Sequence, residues 1–174
     1  MDLTVLSKQL GRYLDMPAQL PPVEKWNPDL SGDIDIVIDK NGQWFHEGDP
    51  IIREKLMRLF STILKREGDE YFLVTPVEKW RIKVEDQPFV VVLMNLSKAN
   101  GQSQIEMITN TGDEFIVGSD HEFKLDDHEA PLVRVRGNMF ARLNRNVFYD
   151  LAEHGLEKED GYYVESQGQE YKIG

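Results

Sequence analysis

GDIDIVIDKNGQWFHEGDPIIREKLMRLFSTILKREGDEYFLVTPVEKWRIKV, Gly32 to Val84, reads as strand, turn, strand, helix, strand, strand. In Asp33 to Asp39 three isoleucines (34, 36, 38) alternate with Asp33, Asp35 and Val37, so one strand face is apolar and the other mostly acidic. Asp39-Lys-Asn-Gly42 is a hairpin turn. Gly48-Asp49-Pro50 reads as a helix start, with Asp49 as cap and Pro50 in the first turn, where its missing N–H is harmless. Ile52, Leu56, Leu59, Phe60 and Ile63 then form a buried stripe, and Gly68 closes the helix.

The same plan returns in His121 to Gly174: strands at Glu122 to Leu125 and Leu132 to Arg136, a helix Met139 to Glu153 ended by Gly155, and a terminal hairpin. The closing hairpins align without a gap. Tyr71, Phe72, Leu73, Trp80, Arg81 and Ile82 fall on Tyr162, Tyr163, Val164, Tyr171, Lys172 and Ile173, and Phe60 falls on Phe148. Such self-similarity indicates an internal duplication. The expected fold is α+β: two tandem strand-strand-helix-strand-strand units with mostly antiparallel sheets sharing a core, preceded by an N-terminal helix. The divisions are 1–31 (helix and proline-rich strap), 32–100 (first unit) and 101–174 (second unit).

Leu3, Leu6, Leu10 and Leu14 place one apolar stripe on the first helix, capped by Asp2 or Thr4. Pro17, Pro21, Pro22 and Pro28 hold an ordered strap, anchored by Leu20, Val23 and Trp26. PVEKW occurs at Pro22 to Trp26 and again at Pro76 to Trp80, at non-equivalent places in the two-unit plan, and the sequence offers no physical reason for it. Phe89 to Leu96 (FVVVLMNL) is apolar on both faces and predicts a central strand covered on both sides. Lys98 to Ser103 reads as a polar loop, and Gln104–Asn110 with Glu114–Val117 as a hairpin across Thr111-Gly112-Asp113.

A chain of 174 residues with a net charge of -11 supplies no broad positive field, which argues against nucleic acid or an anionic membrane as partner. Without cysteine there is no disulfide, thiolate metal site or cysteine nucleophile. No window approaches the roughly 20 apolar residues of a membrane span, and a cytoplasmic protein is the expectation.

Ala130 to Tyr149 holds no acid and carries Arg134, Arg136, Arg142 and Arg145. Arg134 and Arg136 share a strand face, Arg142 and Arg145 a helix face, and a helix start at Gly137-Asn138 would add free N–H groups. With Arg53, these residues are the candidate site for a small anionic ligand gripped through guanidinium groups at a cleft between the units. The alternative use of the arginines is pairing with the surplus carboxylates. His46, Glu47 and Asp49 beside Asp33, Asp35 and Asp39 suggest a hydrolase or phosphate-ester site, but the spacing matches neither the calcium loop nor a paired-histidine motif, so no metal or other cofactor is expected. There is no P-loop, G-x-G-x-x-G, G-x-S-x-G or S-x-x-K, so no catalytic residue is assigned. A third reading is a scaffold or homodimer that binds a protein partner through sheet edges or apolar surface.

PPVEKWNP (21–28), GDIDIVI (32–38), NGQWFHEGDPIIR (41–53), LVTPVEKWRIKVEDQPF (73–89), ITN (108–110), VRVRG (133–137) and RNVFYDL (145–151) together resemble the bacterial family catalogued as domain of unknown function 1285. The resemblance spans nearly the whole chain. It implies two tandem, similar α+β units with no established activity, a link to signalling or ligand binding, and no catalytic residues to carry over.

Overall fold

The computed structural model describes residues 3–14 and 20–174. The chain divides into two compact units, Met1–Asp86 and Gln87–Gly174.

In the first unit α1 (Leu3–Leu14) lies beside α2 (Glu54–Thr62). The apolar stripe explains the docking, since Leu6 and Leu10 are fully buried. Asp2 and Pro17 fall outside the described residues. The strap makes one 3-10 turn at Val23–Lys25 and is held by Lys65, which is 5% exposed and donates from Nζ to Trp26 O (3.0 Å) and Asn27 Oδ1 (2.8 Å). The second PVEKW copy is a turn leading into a strand, so the repeated pentapeptide adopts two different structures.

The strands of this unit are β1 (Leu30–Ile38), β2 (Trp44–His46), β3 (Asp49–Pro50), β4 (Leu64–Glu67), β5 (Glu70–Val74) and β6 (Lys79–Val84), in the sheet order β3-β2-β1-β6-β5-β4. All pairs are antiparallel except β1 with β6. Ile34, Ile36 and Ile38 are buried as the alternation requires, and the Asp39–Gly42 turn forms with Asp39 Oδ1 accepting from the N–H groups of Asn41 and Gln43.

Two expectations fail here. Asp49-Pro50 does not start a helix: Glu47 (φ 50) and Gly48 (φ 85) make a two-residue hairpin turn of the left-handed kind, and Asp49 and Pro50 pair back onto His46 and Phe45. The helix begins four residues later with Arg53 at its cap position and no side-chain cap, leaving Ile52 87% exposed instead of in the buried stripe. Gly68 likewise sits in the β4–β5 turn, because α2 already ends at Thr62. Turn chemistry outweighed the capping pattern in both places.

The second unit contains β7 (Phe89–Ala99), β8 (Gln102–Thr109), β9 (Glu114–Ile116), β10 (Phe123–Leu125), β11 (Pro131–Arg136), β12 (Met139–Leu143), α3 (Arg145–Glu153), β13 (Leu156–Lys158), β14 (Gly161–Ser166) and β15 (Gln169–Lys172). One sheet runs β10-β11-β12-β7-β8-β9, parallel only between β12 and β7, and a separate sheet runs β13-β14-β15. The expected helix over 139–153 is therefore a strand followed by a shorter helix. Asn144 breaks it, its Oδ1 accepting from Val147 N at 2.8 Å as an N-cap. Gly137-Asn138 is the β11–β12 turn, not a helix start.

The closing hairpins keep the same register in both units: Phe72 opposite Arg81 and Leu73 opposite Trp80, as Tyr163 opposite Lys172 and Val164 opposite Tyr171. The helices do not match so closely. Phe60 is fully buried whereas Phe148 is 37% exposed, and Val147 and Leu151 anchor α3 instead.

The apolar strand expected to be shared between the units belongs to the second unit's sheet, and only its first half is covered on both faces. Phe89, Val90 and Val91 are buried; Leu93 is 59% exposed. From there β7 and β8 run on as a long hairpin through Asn100 (φ 52) and Gly101 (φ 78), so Lys98 to Ser103 is mostly strand around a two-residue turn.

Asp126, in the β10–β11 turn, offers a check on the sheet. Burial works against its charge, but the N–H groups of Ala130 and His128 and the guanidinium of Arg142 outweigh burial and hold the carboxyl at about 2. A carboxyl depressed in the folded state stabilises the fold above its ordinary range and stops doing so on protonation. Stability is therefore expected to fall between about pH 4 and pH 2. In urea titrations across that range, Asp126→Asn should start less stable and show a shallower acid loss than the wild type.

Candidate functional site

A concave feature lies within the second unit. The middle of the β7–β8 hairpin, β9, the Gly118–His121 loop and Gln167 line a cavity of about 820 Å³. Its shape follows from the strand lengths. β9 has only three residues, and after Ile116 the chain turns out of the sheet through a bridge between Gly118 and His121. A second wall comes from the β14–β15 turn. Ser166, fully buried, donates to Val117 O at 2.7 Å and accepts from Ile105 N at 3.1 Å, while Gln167 N donates to Ser103 O at 2.8 Å.

Leu93, Ile108 and Ile116, which share one face of the sheet with Glu106, give the cavity an apolar lining. His121 stacks on Phe115 with ring centroids 4.6 Å apart, and its Nδ1 lies 3.0 Å from Arg134 O. A carbonyl oxygen can only accept, so Nδ1 carries the hydrogen and Nε2 is the basic nitrogen of the neutral ring. Glu106 accepts from Asn95 Nδ2 and Ser97 Oγ, both at 2.9 Å, and these two hydrogen bonds hold its carboxyl below the ordinary range. Glu114 and Asp120 bring two more carboxylates to the lining.

The arginines singled out in the sequence lie elsewhere. Arg136 stands 4.9 Å from the Phe89 ring centroid and 3.3 Å from Asp113, whose carboxylate also accepts from Thr109 and Thr111. Burial lowers the Arg136 pKa, and the Asp113 charge and hydrogen bond oppose that shift. Arg134 pairs with Glu122 (3.0 Å) and Arg142, on strand β12, with Asp126 (2.6 Å). Among the described residues Arg145 and Arg53 show no carboxylate partner; both are exposed, one in each unit. Within the second unit Arg134, Arg136 and Arg142 are thus each engaged with a carboxylate. His46 sits opposite Asp49 across the β2–β3 hairpin with Glu47 in the turn, but among the described residues no group of three or more His, Cys, Asp or Glu side chains could hold a metal ion.

Glu106, Phe115 and His121 were not singled out because Gln104–Asn110 with Glu114–Val117 reads as an ordinary hairpin leading into the second unit. The signals were present: Asn100-Gly101 marks the hairpin tip, and Asn95 interrupts the apolar run.

The two six-stranded sheets, one in each of two similar units, and the few helices define a sheet-rich, two-unit α+β protein. The chain belongs to the DUF1285 family: residues 21–87 match its N-terminal domain and residues 88–173 its C-terminal domain, both of unknown function. It is similar to the crystal structure of a DUF1285 family protein from Silicibacter pomeroyi DSS-3, with 34% identity, coverage of 99% of this chain and 94% of that one, and a TM-score of 0.86. A DUF1285 family protein from Shewanella baltica OS155 aligns at 29% identity over 68% of this chain and 90% of that one, with a TM-score of 0.55. No curated protein matches the sequence. Among the described residues no helix is long and apolar enough to cross a membrane.

Proposed function

We propose that the second unit is a non-enzymatic small-molecule binding module whose site is the cavity between the β7–β8 hairpin, β9 and the Gly118–His121 loop. The supporting observation is the cavity itself. About 820 Å³, an apolar lining and a few fixed polar groups match the dimensions and chemistry of metabolite-sized binding sites. Glu106 supports binding over catalysis, because its two donors keep it ionised and do not tune it towards proton exchange near neutrality. The arginine-centred anion site is not retained, since Arg134, Arg136 and Arg142 each answer a carboxylate of the fold.

Thermal unfolding against a panel of metabolites, in the wild type and in Ile108→Trp, tests this reading. A ligand at 100 times its Kd adds about 2.7 kcal/mol, or roughly 5–10 °C in a chain of this length. The indole should project into the cavity and weaken or abolish the shift. A shift that survives Ile108→Trp and disappears in Arg145→Ala would move the site away from the cavity.

A further inference from the structure

We infer that the ligand of this cavity is a small organic cation, an ammonium group carried on an apolar body. The inference rests on the cavity being the binding site and concerns what it selects. Its lining holds three carboxylates, Glu106, Glu114 and Asp120, and neither lysine nor arginine. An anion entering it would meet like charge with no counter-ion on the walls, in a chain whose net charge of -11 adds to the repulsion. A cation meets the opposite situation.

Glu106 is the best-defined recognition group. Asn95 donates to Oε2 and Ser97 to Oε1, so the carboxylate is fixed in orientation and ionised, while each oxygen keeps a second lone pair for an incoming N–H. Charge-assisted hydrogen bonds of this type are about twice as strong as neutral ones. Around Glu106, the side chains of Leu93, Ile108 and Ile116, on the same sheet face, offer apolar contact to an alkyl body. A bare metal ion would leave most of this apolar lining unused.

The test compares three probes of one length on the full chain: hexylamine, 1-hexanol and hexanoate, with affinities read from the methyl NMR signals of Leu93, Ile108 and Ile116. Hexylamine is expected to bind at least tenfold more tightly than hexanol, with hexanoate weakest. Glu106→Gln should bring hexylamine down to the hexanol affinity and leave hexanol unchanged. If that variant does not fold, Glu114→Gln with Asp120→Asn, both at exposed positions, should weaken hexylamine selectively. Equal binding of hexylamine and hexanol, or preference for hexanoate, overturns the cation assignment while leaving the cavity as a site. No response from any of the three residues to any probe removes the cavity reading itself. A dimer that covers these residues and is split by Leu93→Glu would assign the face to a second copy and also overturn the inference.

Discussion

Arg136→Ala is expected to destabilise the protein by about 3 kcal/mol, lowering Tm by roughly 6–12 °C. The guanidinium and Asp113 expose only 15% and 17% of their side chains, so the pair is largely desolvated. Removing Arg136 leaves the Asp113 charge largely buried, with the hydroxyls of Thr109 and Thr111 still donating to it. The same truncation uncovers the face of Phe89, itself fully buried, and loses its cation contact. Replacing both partners, as Arg136→Met with Asp113→Leu, should cost less than the single change, because no lone charge remains. Urea unfolding of the three variants gives the comparison. Wild-type stability in Arg136→Ala together with a lost ligand response would make Arg136 a binding residue.

Phe60→Ala is expected to cost about 3–5 kcal/mol, and Phe148→Ala less than about 1 kcal/mol. The two phenylalanines occupy matched positions in the duplicated sequence, but Phe60 is fully buried on α2 and Phe148 lies at the surface of α3 beside Tyr149. The first truncation leaves a cavity in the core; the second removes area already shared with water. Chemical denaturation distinguishes them directly. Equal losses would mean that α3 packs through Phe148, contrary to the burial of Val147 and Leu151.

These positions show how far the sequence could be read. Strand alternation was legible wherever one face is buried: Ile34, Ile36 and Ile38 are inside, and the hairpin register is the same in both units. Helix starts were less so. Asp49-Pro50 satisfies a capping pattern, but Glu47-Gly48 satisfies a hairpin pattern and lets β3 add backbone pairing to β2. Between Met139 and Glu153 helical spacing was assumed across Asn144, where the N-cap separates strand from helix.

The candidate site was the least legible part. Arg134, Arg136 and Arg142 stand out by sequence contrast, yet their partners Glu122, Asp113 and Asp126 come from other turns and strands. The cavity, conversely, assembles ordinary-looking residues from β7 to β9, the following loop and Gln167, which is distant in sequence. Charge scarcity along the chain carries no information about such tertiary pairing.

The ends of the sheets bear on self-templating. The first six-stranded sheet is bounded by a two-residue strand containing Pro50, which has no N–H to offer, and by β4 with Lys65, Arg66 and Glu67. The second is bounded by β9 and β10, three residues each. Short, charged or proline-bearing borders give a neighbouring chain little to copy. A β-rich polypeptide is thereby guarded against amyloid-like growth from its folded state, and aggregation would have to begin with local melting that uncovers an interior strand such as β1 or β7.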